Sequence, residues 1–150
     1  MCSSDLDACQ RMGFAPDIVH CHDWHTAFAP LFLRTTLAWD RLFADTRSVF
    51  TIHNLGYQGV FSSHHAEDLA LGAGISQLHQ DELRDGRINP MLHGVMYADL
   101  VTTVSPTYAA EICTPEYGAG LDALLRARGG QVTGILNGVD YGEWDPAHDR

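Results

Sequence analysis

SVFTIHNLGYQG, residues Ser48 to Gly59, decides the fold. Ser48 to Ile52 is rich in β-branched and aromatic side chains, the composition of a strand buried in a parallel sheet. The apolar run stops at His53 and Asn54, and a turn containing Gly56 and Gly59 follows. In an open α/β sheet the ligand crevice lies beyond the carboxyl ends of the strands, so a titratable residue at this boundary is well placed for chemistry. His53 holds that place.

Upstream, Pro16 precedes a second short strand, Asp17 to His20, which runs into Cys21, His22, Asp23, Trp24 and His25. Thr26 to Leu37 carries apolar residues at helical spacing, with Thr26 as N-cap, and a polar segment from Asp40 to Arg47 leads into the central strand. One strand, helix, strand unit results, right-handed by the general rule for such crossovers. Ahead of it, Met1 to Asp7 is polar and patternless, and Ala8 to Gly13 reads as the last turns of a helix closed by glycine.

Downstream, His64 to Arg87 is an acidic, His-bearing excursion, expected to fold over the sheet edge. Pro90 to Tyr97 fits a helix ending at Ala98 and Asp99, followed by a Thr-rich strand from Leu100 to Val104. Ser105 and Pro106 are a strong helix start, so Thr107 to Ile112 should be helical, with amides able to bind an anion. After a loop from Thr114 to Gly120 come a short helix, Leu121 to Ala127, ending at Gly129 and Gly130, and a last strand, Val132 to Leu136, closed by Asn137 and Gly138. The tail from Val139 to Arg150 contains Trp144 and Pro146. The fold class is therefore α/β, four strands interleaved with helices.

A chain of 150 residues suits one domain, and its formal charge of −10 disfavours nucleic acid or an anionic membrane as partner. Arg126 and Arg128 form the only tight basic pair. Cys2, Cys9, Cys21 and Cys113 have no CxxC spacing and no secretory leader accompanies them, which points to a reducing, cytoplasmic setting with free thiols. The apolar stretch Ala27 to Trp39 is too short to span a membrane and contains Arg34.

Polar residues therefore gather after every strand: His22, Asp23 and His25; His53 and Asn54; Ser105; Asn137. A single loop histidine is more often a hydrogen-bonded surface residue than a working one. Convergence at one sheet edge shifts that balance, most of all for His53. The segment from His20 to His25 is a near miss to the HxHxDH metal signature, because Trp24 separates Asp23 from the last histidine. A metal-dependent hydrolase using His20, His22 and His25 is one alternative; a non-catalytic binding module built on Trp24 and the neighbouring loops, for glucan by the resemblance given next, is another. Dinucleotide, Walker and nucleophile-elbow glycine motifs are all missing, and Ser105 reads as a helix cap rather than a nucleophile.

Four segments together, HCHDWHTA at His20 to Ala27, VFTIHNLGYQGVF at Val49 to Phe61, YADLVTTVSPTYAAEI at Tyr97 to Ile112 and ILNGVDYGEWDP at Ile135 to Pro146, resemble the bacterial glycogen synthase and plant starch synthase family of retaining glucosyltransferases. The resemblance runs from about Pro16 to Pro146. It implies a Rossmann-like parallel sheet with flanking helices, part of the N-terminal domain of a GT-B enzyme. It also implies that 16–150 is a partial catalytic domain, with the C-terminal nucleotide-binding domain and the Lys-x-Gly-Gly loop absent, so that the segment alone should be inactive. Residues 1–15 are then an N-terminal remnant, in which Met1 to Leu6 resembles nothing in the family and reads as a cloning or assembly artefact.

By the same resemblance, His53 lies beside the transferred glucose, and Asn54 adjoins it in the donor-sugar site. Asp23 lies at the cleft near sugar and acceptor, and Trp24 offers a stacking surface to glucan. Asn137 closes the last strand near the same site, while Tyr57 and Gln58 support the loop. Gly56 departs from the family's usual alanine. The implied substrates are ADP-glucose and an α-1,4-glucan, with no cofactor and no metal. A glycosyl cation needs electron-rich neighbours, and a carboxylate and carbonyls supply them. With one candidate carboxylate at the cleft, the two-carboxylate pattern of a retaining hydrolase is not visible, which favours front-face transfer assisted by the leaving phosphate. An exposed sheet edge in a partial domain should also promote self-association.

Overall fold

The apolar run around Phe50 is the second strand of a parallel sheet. A computed structural model describes residues 2–69, 71–128, 132–145 and 147. In chain order the elements are α1 (Cys2–Met12), β1 (Ile18–His22), α2 (Asp23–Thr26), α3 (Ala29–Arg34), β2 (Arg47–Ile52), β3 (Phe61–Ser62), α4 (Gln80–Arg84), β4 (Arg87–Ile88), α5 (Pro90–Tyr97), β5 (Leu100–Thr103), α6 (Pro106–Glu111), α7 (Asp122–Ala127) and β6 (Val132–Gly134). The main sheet has the order β1-β2-β5-β6, parallel throughout, and β3 and β4 form a separate antiparallel pair.

The interior strands carry the core. Phe50, Ile52 and Val101 are fully buried, as are Leu31 of α3 and Met91 and Val95 of α5. Each such side chain contributes roughly 1.5–3 kcal/mol relative to exposure. Gly94 lets α5 lie on the sheet, because a Cβ there would stand 2.5 Å from Cζ of Phe50.

At the amino-terminal edge of the sheet, Asp99 joins three elements. Its Oδ2 accepts from the Ser48 N–H (2.7 Å) and hydroxyl (2.9 Å), and its carboxylate pairs with Arg34 and, at 3.8 Å, with Arg47. Burial works to raise the Asp99 carboxyl, but the Ser48 hydrogen bonds and the two arginines outweigh it and hold it below the usual carboxylate range. Arg128 closes the end of α5 by donating to the carbonyls of Val95, Ala98 and Asp99.

Several expectations hold closely. Asn89 caps α5, with Pro90 in its first turn, and Ser105 caps α6, accepting from the Tyr108 N–H at 2.9 Å. Gly13 closes α1 with φ +63, as expected of a helix-terminating glycine.

Others need correction. The segment read as patternless, residues 2–7, belongs to α1, because Leu6 is buried (2 % exposed) and Cys9 packs against the core. β1 runs on to His22 rather than ending at His20, and β6 stops at Gly134 rather than Leu136. The single helix expected from Thr26 is two: α2 already begins at Asp23, and α3 follows a break at Ala27 and Phe28. Thr26 caps no helix; its hydroxyl donates back to the His22 carbonyl (2.9 Å) and accepts the His22 N–H (2.6 Å).

The excursion after His64 leads into β4 of the small antiparallel pair. It folds as 3-10 turns and α4 against α5: the Tyr97 hydroxyl donates to the Gln77 carbonyl (2.5 Å), and the His79 N–H donates to His93 Nε2 (3.0 Å). The Gly129 and Gly130 helix stop and Pro146 lie outside the described residues.

His93 is fully buried, and its protons can be assigned from its partners. Nε2 accepts from His79, so Nδ1 carries the hydrogen and donates to the Asn89 carbonyl (2.7 Å). Burial first, with His79 adding to it against the opposing Asn89 bond and Glu82, holds His93 below the ordinary imidazole range. The unfolded chain, near pH 6.5 for histidine, therefore binds the proton first as pH falls, and stability declines from about pH 6.5 downward through the folded value. Thermal melting of the chain between pH 7.5 and 5 should show that decline, and His93→Gln should flatten it.

Candidate functional site

The site is built where β1 and β2 end side by side. Their register pairs His22 with Thr51, which brings the turn after β1 against the loop after β2. The turn passes through Asp23 at φ +52, a left-handed conformation that aspartate tolerates better than most residues. From there Asp23 Oδ1 accepts the His53 N–H at 2.7 Å and the Asn54 N–H at 3.4 Å. One carboxylate oxygen thus fixes the backbone on which His53 is carried.

The loop beyond is tied down residue by residue. Asn54 Oδ1 accepts the Gly56 N–H (2.9 Å), and the Asn54 carbonyl accepts the Tyr57 N–H (3.3 Å). The Leu55 N–H donates to the Tyr108 hydroxyl at 3.0 Å, and Leu55 itself is buried. Gln58 is held at both ends of its amide, donating to the Ala119 carbonyl (2.9 Å) and accepting from Asn89 (2.5 Å). Gly59, at φ +70, closes the loop against Trp24: a Cβ there would stand 2.3 Å from the indole ring. Only glycine meets both demands.

On the sheet side three imidazoles stand in a row. His20 and His22 share one face of β1 with ring centroids 4.2 Å apart, and His22 Nδ1 lies 3.0 Å from His53 Nε2. His20 Nε2 is hydrogen-bonded to Thr51 Oγ1 (2.7 Å), which meets Thr102 Oγ1 at 2.6 Å. Burial first, then His20 and His53, lower His22 below the ordinary imidazole range against the opposing pull of Asp23. His25 points elsewhere, stacked on Trp24 at 3.9 Å. The trio His20, His22 and His25 is therefore split, and among the described residues no group of three or more His, Cys, Asp or Glu side chains is arranged to hold a metal ion.

The expected residues come together unevenly. His53, Asn54 and Asp23 form one hydrogen-bonded unit, and Gln58 bonds from the loop to the Ala119 carbonyl. Tyr57 does not support the loop through its side chain; the ring is 71 % exposed. Trp24 is half-buried, stacked on His25 and packed against Gly59, so much of its ring is engaged within the protein. Tyr57 and Trp24 line one groove of about 470 Å³ with Gly56, Gln58, Gly59 and Val60. Asn137 is exposed, three residues beyond β6, and takes no part in the Asp23 network.

Two contributors escaped the sequence reading, His22 as a partner of His53 and Tyr108 as a support of Leu55. The position of Tyr108 in the first turn of a helix leaving the same sheet edge was the available signal.

A family model described as "Starch synthase catalytic domain" matches residues 1–127, which takes in the opening residues that the sequence reading set apart. The glycogen synthase of Thermodesulfovibrio yellowstonii is 48% identical over 145 residues, covering 96% of this chain and 29% of that protein. The glycogen synthase of Anaeromyxobacter sp. (strain Fw109-5) is 51% identical over 139 residues, 93% of this chain and 29% of its own length. Among solved structures, the catalytic domain of starch synthase IV from Arabidopsis thaliana bound to ADP and acarbose aligns with a TM-score of 0.78 at 39% identity, covering 99% of this chain and 30% of that one. The chain thus spans about 30% of the length of the relatives it matches. The parallel sheet with flanking helices expected for the N-terminal domain of a GT-B glycosyltransferase is the architecture found. By the length of the family match and by identities near one half, this chain belongs to the starch synthase catalytic domain family.

Proposed function

We propose that the chain supplies the N-domain side of the active-site cleft of a glycogen or starch synthase, an enzyme that transfers glucose from ADP-glucose to the non-reducing end of an α-1,4-glucan with retention. The observation that carries this reading is the Asp23 carboxylate gripping the His53 and Asn54 amides at the carboxyl ends of two adjacent parallel strands. A loop fixed in this way presents His53 at constant geometry to a sugar bound beyond the sheet edge.

In the reaction, the bond from glucose C1 to the ADP phosphate breaks while C1 bonds to the glucan hydroxyl on the same face, and the departing phosphate takes the hydroxyl proton. Positive charge grows at C1 in the transition state. His53, in ring and main-chain carbonyl, is the electron-rich group beside it, and Asp23 keeps it there; preorganised groups of this kind are worth about 10²–10³ in rate. Asn54 belongs to the same donor-sugar site, and Asn137, in the segment that follows β6, borders it. Tyr57, exposed in the groove it shares with Trp24, offers the open ring face for a glucose unit of the acceptor. No cofactor and no metal enters this scheme.

The ADP of the starch synthase IV structure supports ADP-glucose as donor. The scattered cysteines, with no CxxC spacing among them, support a reducing, cytoplasmic setting. Exposed apolar side chains near the β1 edge (Met12, Phe14, Ile18) and beyond β6 (Leu136, Tyr141, Trp144) support self-association of the chain on its own.

The test uses a full-length chimera in which this chain replaces the matching segment of the T. yellowstonii glycogen synthase. It is expected to transfer glucose from ADP-glucose to maltooligosaccharide with retention. His53→Ala is expected to lose at least a hundredfold in turnover. Unchanged turnover, with the variant folded, would reduce His53 to loop architecture.

A further inference from the structure

The imidazole of His22 is not accounted for by that reading. It is the last residue of β1, with its backbone held on both sides by the Thr26 hydroxyl. Its ring packs at 4.2 Å against His20, which is itself anchored through Thr51 to the buried Thr102. From this support His22 Nδ1 reaches His53 Nε2 at 3.0 Å, and the rings lie 5.3 Å apart between centroids. His53 is exposed, so the bond to His22 bears directly on the angle of its ring.

Resting on the proposed role of His53, we propose that His22 is a positioning residue for the glucosyl transfer, setting the ring of His53 through a nitrogen-to-nitrogen hydrogen bond. His53 is then held at two points, its N–H by Asp23 and its Nε2 by His22, which leaves Nδ1 as the ring nitrogen outside this bond. With the main chain fixed by Asp23, the bond from His22 removes rotational freedom of the exposed ring that would otherwise be lost on binding substrate. The lowered proton affinity of His22 fits the geometry, because a neutral ring keeps one nitrogen as donor and the other as acceptor. His20, Asp23 and His53 are the titratable groups that bear on it.

The experiment compares His22→Ala, His22→Asn and His22→Gln in the full-length chimera, with His53→Ala alongside. His22→Ala is expected to lower kcat ten- to a hundredfold with KM for ADP-glucose changed by less than threefold. Asparagine places its amide near the position of Nδ1 and is expected to restore most of the loss, whereas glutamine, reaching to the position of Nε2, is not. Adding His22→Ala to His53→Ala should cost nothing further, a non-additivity that general damage to the sheet would not produce. In the 150-residue chain, ring 15N chemical shifts of His53 should move in His22→Ala and return toward the original in His22→Asn. An unchanged kcat in folded His22→Ala beside an inactive His53→Ala would overturn the positioning role alone. An active His53→Ala would instead overturn the reading on which it rests.

Discussion

Asp23→Ala is expected to lower turnover of the chimera by at least a hundredfold while the protein stays folded. The carboxylate serves two amides at the exposed mouth of the sheet, the His53 N–H at 2.7 Å and the Asn54 N–H at 3.4 Å. Water replaces it there, so the stability cost is that of ordinary hydrogen bonds, about 0.5–1.5 kcal/mol each. Alanine at φ +52 adds about 1–2 kcal/mol of backbone strain. Neither is large beside the roughly 5–15 kcal/mol of a typical domain. The effect on rate is larger because the loop that carries His53 is no longer referenced to β1, and displacement of about 1 Å costs on the order of 10² in turnover. Asp23→Asn separates position from charge. Asparagine retains an acceptor oxygen and tolerates the left-handed backbone, so it should hold the loop and lose only the part of the rate that depends on the negative charge. Steady-state kinetics of both variants, with melting curves as a control for folding, check this.

The largest loss of stability is expected from Gly134→Ala. At this position in β6 a Cβ would stand 2.2 Å from both the carbonyl carbon and oxygen of Ser105 and 2.3 Å from the Pro106 nitrogen. These are backbone atoms, and they belong to the cap that starts α6, where Ser105 Oγ accepts the Tyr108 N–H. No rotamer change relieves the contact. Either β6 leaves β5 or the cap opens, at a cost of about 3 kcal/mol or more, the upper range for overpacking. For a chain of this size that corresponds to a fall of about 6–12 °C in melting temperature. Gly138→Ala, where nothing lies within 4 Å of the added Cβ, is the matched control and should be neutral or slightly stabilising. Circular dichroism melts of both variants decide the matter. The expected loss would also reach the site indirectly, since Tyr108 supports Leu55 from the first turn of α6.

What the sequence disclosed depended on how local each signal was. β2 and β5 announce themselves by apolar, β-branched composition, and the starts of α5 and α6 by Asn89–Pro90 and Ser105–Pro106, because a cap is chemistry between near neighbours. α1 was legible only at its end: Gly13 is a local stop, whereas the burial of Leu6 depends on partners distant in the chain. Thr26 misled because a threonine ahead of an apolar run looks the same whether its hydroxyl caps the helix ahead or bonds the strand end behind. Composition alone also could not show that the segment between His64 and Arg87 would settle on α5, since its attachments run through backbone groups of Gln77 and His79.

In the site, residue identities were readable and their geometry was not. Asp23, His53 and Asn54 stood out as polar residues at strand ends. Their grip on one another follows from the parallel pairing of His22 with Thr51, a register no single strand specifies. The same register sets His22 beside His53, while His25 turns away onto Trp24.

The clamp at Asp99 has a mechanical consequence for the opposite edge of the sheet. Ser48, Arg34 and Arg47 hold the lower end of β2 against the start of β5, and His53 comes five residues further on, about 16 Å along an extended strand. The ion-paired end acts as the datum from which the height of the imidazole above the sheet is measured. Arg34 and Asp99 therefore serve the mouth of the sheet as a surveyor's benchmark serves a map: remote from the terrain, yet the origin of the heights read there.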